Sequence, residues 1–344
     1  MLNPVRMTVL ASGSKGNSTV IASARTRILV DAGLSCRELL KRMAAVGEDP
    51  AALTAILITH EHQDHVAGLA VLARRLNIPV FFTEPTHRAW VRMLTPRTTM
   101  TYAKWLDHVQ AEKEARAQAA AMAVAAEVSA VLTQDASVEI SGEADPDFAL
   151  HVDPDAAEES CEPEETRAAV KANPTFLPAV EYFQAGQTFC IGDIDINPFT
   201  IPHDAADPCG FVFHARSETI RMAVATDLGY VPPNVKQALK GVDVLLLESN
   251  HDLEMLKDGP YPWSVKQRVL SRVGHLSNHA AAEFLLRDYD GGAHTIVLGH
   301  LSESNNLPEL AKLAAEQAIG NRMTLLGNRI VLAAQHEPLE PICL

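Results

Sequence analysis

The densest group of metal-binding side chains lies in the segment Thr59-His-Glu-His-Gln-Asp-His65. Imidazole and carboxylate groups are usual protein ligands of zinc, manganese and iron. A loop can turn His60 and His62 to one side and Asp64 and His65 to the other, so the spacing predicts two adjacent metal sites. The alternative is a hydrated loop in which the acid caps a helix, but capping does not explain three histidines at this spacing.

Two metals need more ligands than this cluster supplies, and three candidates follow apolar runs elsewhere in the chain. His203 and Asp227 each follow a β-branched run, and His300 follows the run Thr295-Ile-Val-Leu-Gly299. A residue at the end of a buried strand projects to the rim where layered α/β folds place their chemistry. Each candidate is weak alone, because a strand-end acid or histidine is often a cap. Together with the cluster they predict one site built from distant parts of the chain.

These ligands have to be positioned by an α/β framework. Short β-branched runs alternate with amphipathic helices before about residue 100 and after about residue 184. The predicted strands are Met7–Ala11, Ser18–Ala22, Arg27–Asp31, Thr54–Thr59, Val80–Thr83, Ile194–Ile201, Gly210–His214, Ile220–Thr226, Val242–Glu248, Thr295–Gly299, Met323–Leu326 and Arg329–Ala333. Several are apolar almost throughout, which is typical of strands buried in the middle of a layered fold. A helix is predicted after His65, where Leu69, Leu72 and Leu76 share one face.

Residues 103–183 differ in composition from both flanks. They hold 17 acidic residues against 5 lysines and arginines, so most of the chain's net charge of −14 lies there. Residues 111–132 are alanine-rich and favour helix, whereas residues 141–173 are acidic, contain three prolines and are predicted to be mobile. We therefore predict one catalytic domain formed by residues 1–102 and 184–344, interrupted by an acidic, partly helical or mobile insertion at 103–183. A solvated linker is its favoured role, and contact with a protein partner stays open.

Composition argues against several classes of protein. No run of about 18 uncharged apolar residues occurs, which argues against a membrane span. The N-terminus lacks the basic and apolar regions of an export signal, so we expect a cytoplasmic protein. The five cysteines are scattered and never form a C-x-x-C pair, which argues against a disulfide framework and a thiolate zinc site. Outside the insertion the chain is nearly neutral, so its acidic total does not exclude a nucleic-acid partner.

The metal-binding cluster, Ile28-Leu-Val-Asp31-Ala-Gly33, His203 and Thr226-Asp227 together resemble the metallo-β-lactamase superfamily. Further motifs are similar to its YycJ/WalJ-type branch, whose members are described as metal-dependent DNA exonucleases. These motifs are Ser12-Gly-Ser-Lys-Gly-Asn-Ser18, Ser35–Leu39, His203–Phe211, Glu248–Asp252, Gly259–Pro262, Gly274–Asn278 and Leu298–Ser302. The resemblance covers residues 7–100 and 185–335 but not the insertion. It implies an α/β fold with four layers, the αβ/βα sandwich of that superfamily.

The resemblance also implies ligands for two divalent ions, zinc or manganese, with iron as a further candidate. It assigns the first ion to His60, His62 and His203, the second to Asp64, His65 and His300, and makes Asp227 the bridging ligand. A metal-bridging hydroxide would then attack a phosphodiester, with Asp64 orienting or deprotonating the water. Asp31 is expected to hold the ligand loop from behind, although a strand-end acid that only caps the loop explains it equally well.

His275 competes with His300 for the seventh ligand position, because both stand in a Gly-His-Leu-Ser sequence. We assign His300 as the ligand, since it ends a strong strand, and predict that His275 contacts the scissile phosphate; a helix-capping loop residue is the alternative. Other candidates for contact with substrate phosphates are Ser14, Asn17, Lys266, Arg268, Arg272 and Ser277. The loop Ser12–Ser18 is explained equally well as a tight hairpin, and the three cations as a solvated surface.

The function that follows is a two-metal phosphodiesterase with DNA as its substrate, by resemblance an exonuclease. The same metal core would serve a small-molecule hydrolase for a thioester, a lactone or a cyclic nucleotide. A non-catalytic scaffold that binds a partner through the insertion is a third interpretation, which the intact ligand set disfavours. The sequence leaves open which metal is used, DNA against RNA, the direction of digestion and the oligomeric state.

Overall fold

Two mixed β-sheets of seven strands each run through the part of the chain that the computed structural model describes, residues 5–95, 110, 174–320 and 329–344. The first sheet, in the order β14-β1-β2-β3-β4-β5-β6, consists of β1 (Arg6–Ala11), β2 (Ser18–Ala22), β3 (Arg27–Val30), β4 (Ala55–Leu57), β5 (Val80–Phe82), β6 (Val180–Tyr182) and β14 (Ile342–Cys343). The second, in the order β13-β12-β11-β10-β9-β8-β7, consists of β7 (Phe189–Ile191), β8 (Ile194–Thr200), β9 (Cys209–Ala215), β10 (Ile220–Ala225), β11 (Val244–Glu248), β12 (Thr295–Gly299) and β13 (Arg329–Leu332).

Helices cover the outer faces of both sheets. The helices are α1 (Cys36–Ala45), α2 (Gln63–Val66), α3 (Leu69–Leu76), α4 (Glu84–Leu94), α5 (Pro233–Ala238), α6 (Leu253–Asp258), α7 (Trp263–Val269), α8 (Asn278–Arg287) and α9 (Pro308–Ile319). Apolar residues of α1, α3 and α4 pack on the first sheet, and those of α5, α8 and α9 pack on the second. Among the described helices, none is long and apolar enough to cross a membrane.

The inner faces of the two sheets share a third apolar cluster, which gives the molecule four layers. Strand β11 has both of its faces covered in this way. Its Val244 and Leu246 point to the other sheet, whereas Leu245 and Leu247 pack against the helices. Because both faces are covered, the strand is apolar at every position before Glu248. The predicted αβ/βα sandwich is confirmed.

The predicted strands that lie in the described residues are all present, with bounds that differ by a few residues. Three strands were missed, β6, β7 and β14, because two or three residues are too few to show a period of two. Strand β6 pairs in parallel with β5, so the first sheet extends into the C-terminal end of the predicted insertion. Residues 103–109 and 111–173 of that insertion lie outside the described residues. The predicted strand Met323–Leu326 also lies outside them.

Candidate metal centre

The seven predicted ligands converge at one edge of the sandwich. His60 lies on the loop after β4, His62 precedes helix α2, and Asp64 and His65 lie in the first turn of that helix. The other three follow the ends of β8, β10 and β12, at His203, Asp227 and His300. Within each of three groups the ligand atoms lie less than 4.8 Å apart: His60 with His62 and His203, Asp64 with His65 and His300, and His60 with His65 and Asp227.

Asp227 lies between the two histidine groups. Its Oδ2 is 3.4 Å from Nε2 of His65, and its Oδ1 is 3.5 Å from Nε2 of His300 and 4.0 Å from Nε2 of His203. The residue is 1% exposed, and its Oδ2 has no hydrogen-bond partner among the described residues. Its φ of 62°, in the left-handed region, aims the side chain inward at a conformational cost. A carboxylate in this position could serve two cations at once.

Hydrogen bonds hold the first group of histidines in one tautomer each. Nε2 of His62 donates to the carbonyl oxygen of Asp204 at 3.2 Å, and Nδ1 of His203 donates to that of Gly274 at 3.2 Å. The remaining nitrogens, Nδ1 of His62 and Nε2 of His203, therefore face each other at 3.2 Å with lone pairs. Two such lone pairs repel unless a proton or a cation lies between them. Nε2 of His60 is also buried without a partner in the described part of the chain.

The second group is held by two buried carboxylates. Nδ1 of His65 donates to Asp31 at 2.8 Å, and Nδ1 of His300 donates to Glu248 at 3.0 Å. Nε2 of each ring then faces Asp64, whose Oδ2 is 3.5 Å from both. A carboxylate behind a ligating imidazole fixes the ring and makes it a better donor to a metal. This donor set and the orphaned nitrogens fit divalent cations.

Asp31 lies behind the ligand loop and contacts three of its groups. Besides His65, its carboxylate accepts the backbone N–H and the hydroxyl of Thr59, both at 2.9 Å. Since that hydroxyl donates to Asp31, its oxygen accepts from Nδ1 of His60 at 3.0 Å, which leaves Nε2 of His60 as the free donor atom. One buried acid therefore orients two histidines and the turn between them.

Glu248 is a buried acid of the centre to which the sequence analysis assigned no role. It ends β11, is fully buried, and accepts hydrogen bonds from Nδ1 of His275 at 2.8 Å as well as from His300. Burial by itself raises the pKa of this acid, but the two imidazoles outweigh burial and lower it to about 2. An acid that ends an otherwise apolar strand was the available signal, because a buried carboxylate needs partners.

The charges of the centre favour bound cations. Burial raises the pKa of Asp227, but the imidazoles of His300 and His65 outweigh it and lower the pKa well below its usual value. Burial and then the neighbouring His65 lower the pKa of His60 well below the ordinary range. Burial lowers the pKa of His65 and of His300, but the surrounding carboxylates together outweigh burial and raise both pKa values well above normal: Asp227 and Asp64 act on both rings, Asp31 on His65 and Glu248 on His300. The carboxylates of the centre thus favour positive charge at these two rings, which a bound divalent cation would supply.

His275 lies at the open side of the centre. Its ring is 5.0 Å from that of His300 and 5.1 Å from that of His203, measured between centroids. Its side chain is 22% exposed, and Glu248 holds its Nδ1. His300, in contrast, is buried with Nε2 directed at Asp64 and Asp227. Both histidines nevertheless donate to the same oxygen of Glu248, and His275, His300, Asp227 and Glu248 form a fourth group whose candidate ligand atoms lie within 4.8 Å of one another. The assignment of His300 as the metal ligand and of His275 as a phosphate contact therefore stays a prediction.

The candidates for phosphate contact divide into two kinds. The amide of Asn17 is buried and donates to Asp64 at 3.2 Å, and the hydroxyl of Ser277 accepts the backbone N–H of Ala280 as the cap of α8. Both therefore have structural partners. The exposed candidates are Ser14 on the loop before β2, Arg268 on α7 and Arg272 after it, with Lys266 of α7 partly exposed.

A helix–sheet–sheet–helix sandwich with this histidine and aspartate centre at its edge defines a class of protein. The family model described as the Metallo-beta-lactamase superfamily matches residues 11–205, and a second, described as a Beta-lactamase superfamily domain, matches residues 142–300. The chain belongs to the metallo-β-lactamase superfamily, whose sites hold divalent metal ions.

The chain is also similar to individual members of this superfamily over most of its length. The chain is 31% identical to Exodeoxyribonuclease WalJ of Streptococcus pneumoniae over 308 residues, which is 90% of this chain and 86% of that protein. It is 30% identical to Exodeoxyribonuclease YycJ of Bacillus anthracis over 92% of this chain and 89% of that protein. The crystal structure of the metallo-beta-lactamase fold protein YhfI from Bacillus subtilis superposes with a TM-score of 0.54 at 13% identity, covering 97% of this chain and 99% of that one, which supports the fold.

Proposed function

We propose that the protein is a two-metal phosphodiesterase that hydrolyses DNA from an end. The main support for this proposal is the position of Asp227, which is buried between two groups of histidines whose free nitrogens face inward. The relatives that span about nine-tenths of the chain are named exodeoxyribonucleases, which supports DNA as the substrate.

The ligands follow from the free donor atoms. His60, His62 and His203 would hold the first ion, and Asp64, His65 and His300 the second, with Asp227 shared. Imidazole and carboxylate donors suit zinc or manganese, and iron is accepted as well. Bound ions of this kind lower the pKa of a water molecule and offset the charge of a phosphodiester.

Asp64 is the proposed base. Its Oδ2 faces both His65 and His300, and Asn17 donates to the same oxygen at 3.2 Å. The backbone N–H of Asn17 also donates to the carbonyl oxygen of Asp64 at 2.7 Å, so Asn17 holds both the side chain and the backbone of Asp64. A carboxylate fixed in this way would orient the attacking water and accept its proton.

His275 is the proposed contact to the scissile phosphate. Glu248 accepts its Nδ1–H, which keeps the ring in place and leaves Nε2 for the substrate on the exposed side. We propose that this nitrogen binds a phosphate oxygen next to the bond that breaks. Glu248 then positions one metal ligand and one substrate contact through the same oxygen atom.

Hydrolysis of linear duplex DNA with a 5′-phosphate tests the proposal. Metal-loaded protein should release nucleotides, and His62→Ala or Asp64→Ala should abolish the release while His279→Ala, an exposed histidine on α8, retains it. Elemental analysis should find two ions for each chain. Hydrolysis of thioesters, lactones or cyclic nucleotides without any release of nucleotides from DNA would show instead that the protein is a small-molecule hydrolase.

A further inference from the structure

Helix α7 stands beside the metal centre without a single buried residue. We refer to residues 263–273, which comprise this helix and the turns after it, as the α7 arm. Trp263, its first residue, is 68% exposed, and Leu270 and Val273 are 45% and 43% exposed. Tryptophan is on average among the well-buried residues, so a ring left in water beside an active centre suggests a binding surface.

The C-terminal part of the arm is attached to the first ligand group. The carbonyl oxygen of Val273 accepts the backbone N–H of Asp204 at 3.1 Å, and that of Val269 accepts the backbone N–H of His275 at 3.0 Å. Gly229, two residues after Asp227, lies so close that an added Cβ would be 2.1 Å from the carbonyl oxygen of Arg272. These contacts hold the α7 arm at a fixed position beside the proposed ligands of the first ion.

The arm is also positively charged in an acidic protein. Residues 263–275 contain Lys266, Arg268 and Arg272 but no acid, whereas the whole chain carries −14. Arg268 pairs with Asp204, and the guanidinium of Arg272 lies 4.4 Å above the ring of Tyr230. Lys266 donates to the carbonyl oxygen of Lys257 at 2.6 Å, which is a neutral partner, so Lys266 and Arg272 both keep positive charge for an anionic partner.

We propose that the α7 arm binds an unpaired DNA strand as it leaves the metal centre, with a base stacked on Trp263 and phosphates beside Lys266 and Arg272. This inference rests on the proposed function. A base presents an apolar face and a phosphate an anion, which matches an exposed indole between cations. Trp263 and Lys266 are three residues apart on α7, about 4.5 Å along the helix axis, so a stacked base and the phosphate next to it can contact both side chains.

Tryptophan fluorescence measures this contact without any catalysis. Of the three tryptophans, Trp90 is 1% exposed, and Trp105, outside the described residues, is replaced by phenylalanine in every variant. A single-stranded oligodeoxynucleotide of 12 nucleotides, added with EDTA present, should quench the emission of the full chain. Trp263→Phe should remove the quenching. The affinity of variants that lack this tryptophan is measured by the fluorescence anisotropy of a labelled oligonucleotide: Trp263→Phe should keep the affinity within about threefold, whereas Trp263→Ala should weaken it about 5- to 150-fold.

Steady-state kinetics on single-stranded DNA supply a second readout. Trp263→Ala should raise KM with kcat within about twofold, because the stacked base is held equally in the ground and transition states. Leu313→Ala, an apolar side chain 49% exposed on α9, is the matched control and should change neither constant. Arg272→Gln should reduce the slope of log affinity against log salt by about 0.7.

Three outcomes separate the possibilities. An active enzyme whose Trp263→Ala variant keeps its KM and its affinity for the oligonucleotide overturns the inference. A variant that changes from dimer to monomer in sedimentation with unchanged DNA binding also overturns it, since the arm would then contact a second copy. Quenching by the oligonucleotide in a protein that hydrolyses no DNA supports the arm and refutes the proposed function.

Discussion

Replacing Glu248 by glutamine tests the two-metal centre without touching a ligand. One oxygen of this carboxylate accepts Nδ1–H of His275 and of His300, and the other accepts the backbone N–H groups of Leu228 and Leu276. The side-chain amide of a glutamine cannot accept hydrogen bonds at both of these positions. Whichever way it is turned, its NH₂ group faces two N–H donors, so two hydrogen bonds are lost.

The expected effect on metal binding is large. Loss of a carboxylate that orients a ligating histidine weakens metal affinity or activity by about 10- to 100-fold. The second ion should be affected most, because His300 loses its acceptor while His65 keeps Asp31. Two lost bonds to a charged acceptor, at roughly 1.5 kcal/mol or more each, should lower the free energy of unfolding by about 3 kcal/mol.

Competition with a chromophoric chelator gives the affinity of each site, and chemical denaturation of the metal-free protein gives the stability. Glu316→Gln, on the exposed side of α9, is the control and should stay within about 0.5 kcal/mol. If Glu248→Gln binds two ions as tightly as the unaltered protein and retains its activity within twofold, the assigned role of Glu248 is wrong.

Four further predictions concern other parts of the structure. Gly33→Ala should abolish activity in the DNA assay, because a Cβ at Gly33 would lie 1.7 Å from the carbonyl oxygen of Asp64. Glu48→Gln should cost about 3 kcal/mol in denaturation at pH 7, since it removes the buried negative charge to which Arg6 donates two hydrogen bonds. Burial raises the pKa of Glu48, but hydrogen bonds from Arg6 and Thr8 outweigh burial and lower the pKa overall. The stabilisation by Glu48 should therefore be complete above pH 4.5 and decline as the pH falls through the lowered pKa of the folded state. A difference in stability between Glu48→Gln and the unaltered protein that does not depend on pH would contradict this prediction. Removal of metal with EDTA should lower Tm, and re-addition should restore it. Deletion of residues 103–173 should leave kcat on DNA within about twofold, whereas loss of folding would show that the insertion is part of the catalytic domain.

Much of the fold was predictable because it depends on local pattern. Strands such as β2 and β12 were predicted with their observed bounds, since their apolar runs end at polar or glycine-rich turns. Edge strands such as β6 were not predicted, because only pairing with a neighbour makes three residues a strand.

The sequence by itself determined which side chains are available to bind metal, because residue type and strand-end position are local properties. Only the tertiary structure decided which nitrogen of each ring faces the centre, since this depends on acceptors distant in the chain: the carbonyl of Gly274 for His203, and Glu248 for His300. It also placed Asn17 on Asp64 and brought His275 and His300 to the same oxygen of Glu248. Such contacts arise when four layers close on one another, and no spacing along a single strand or loop encodes them.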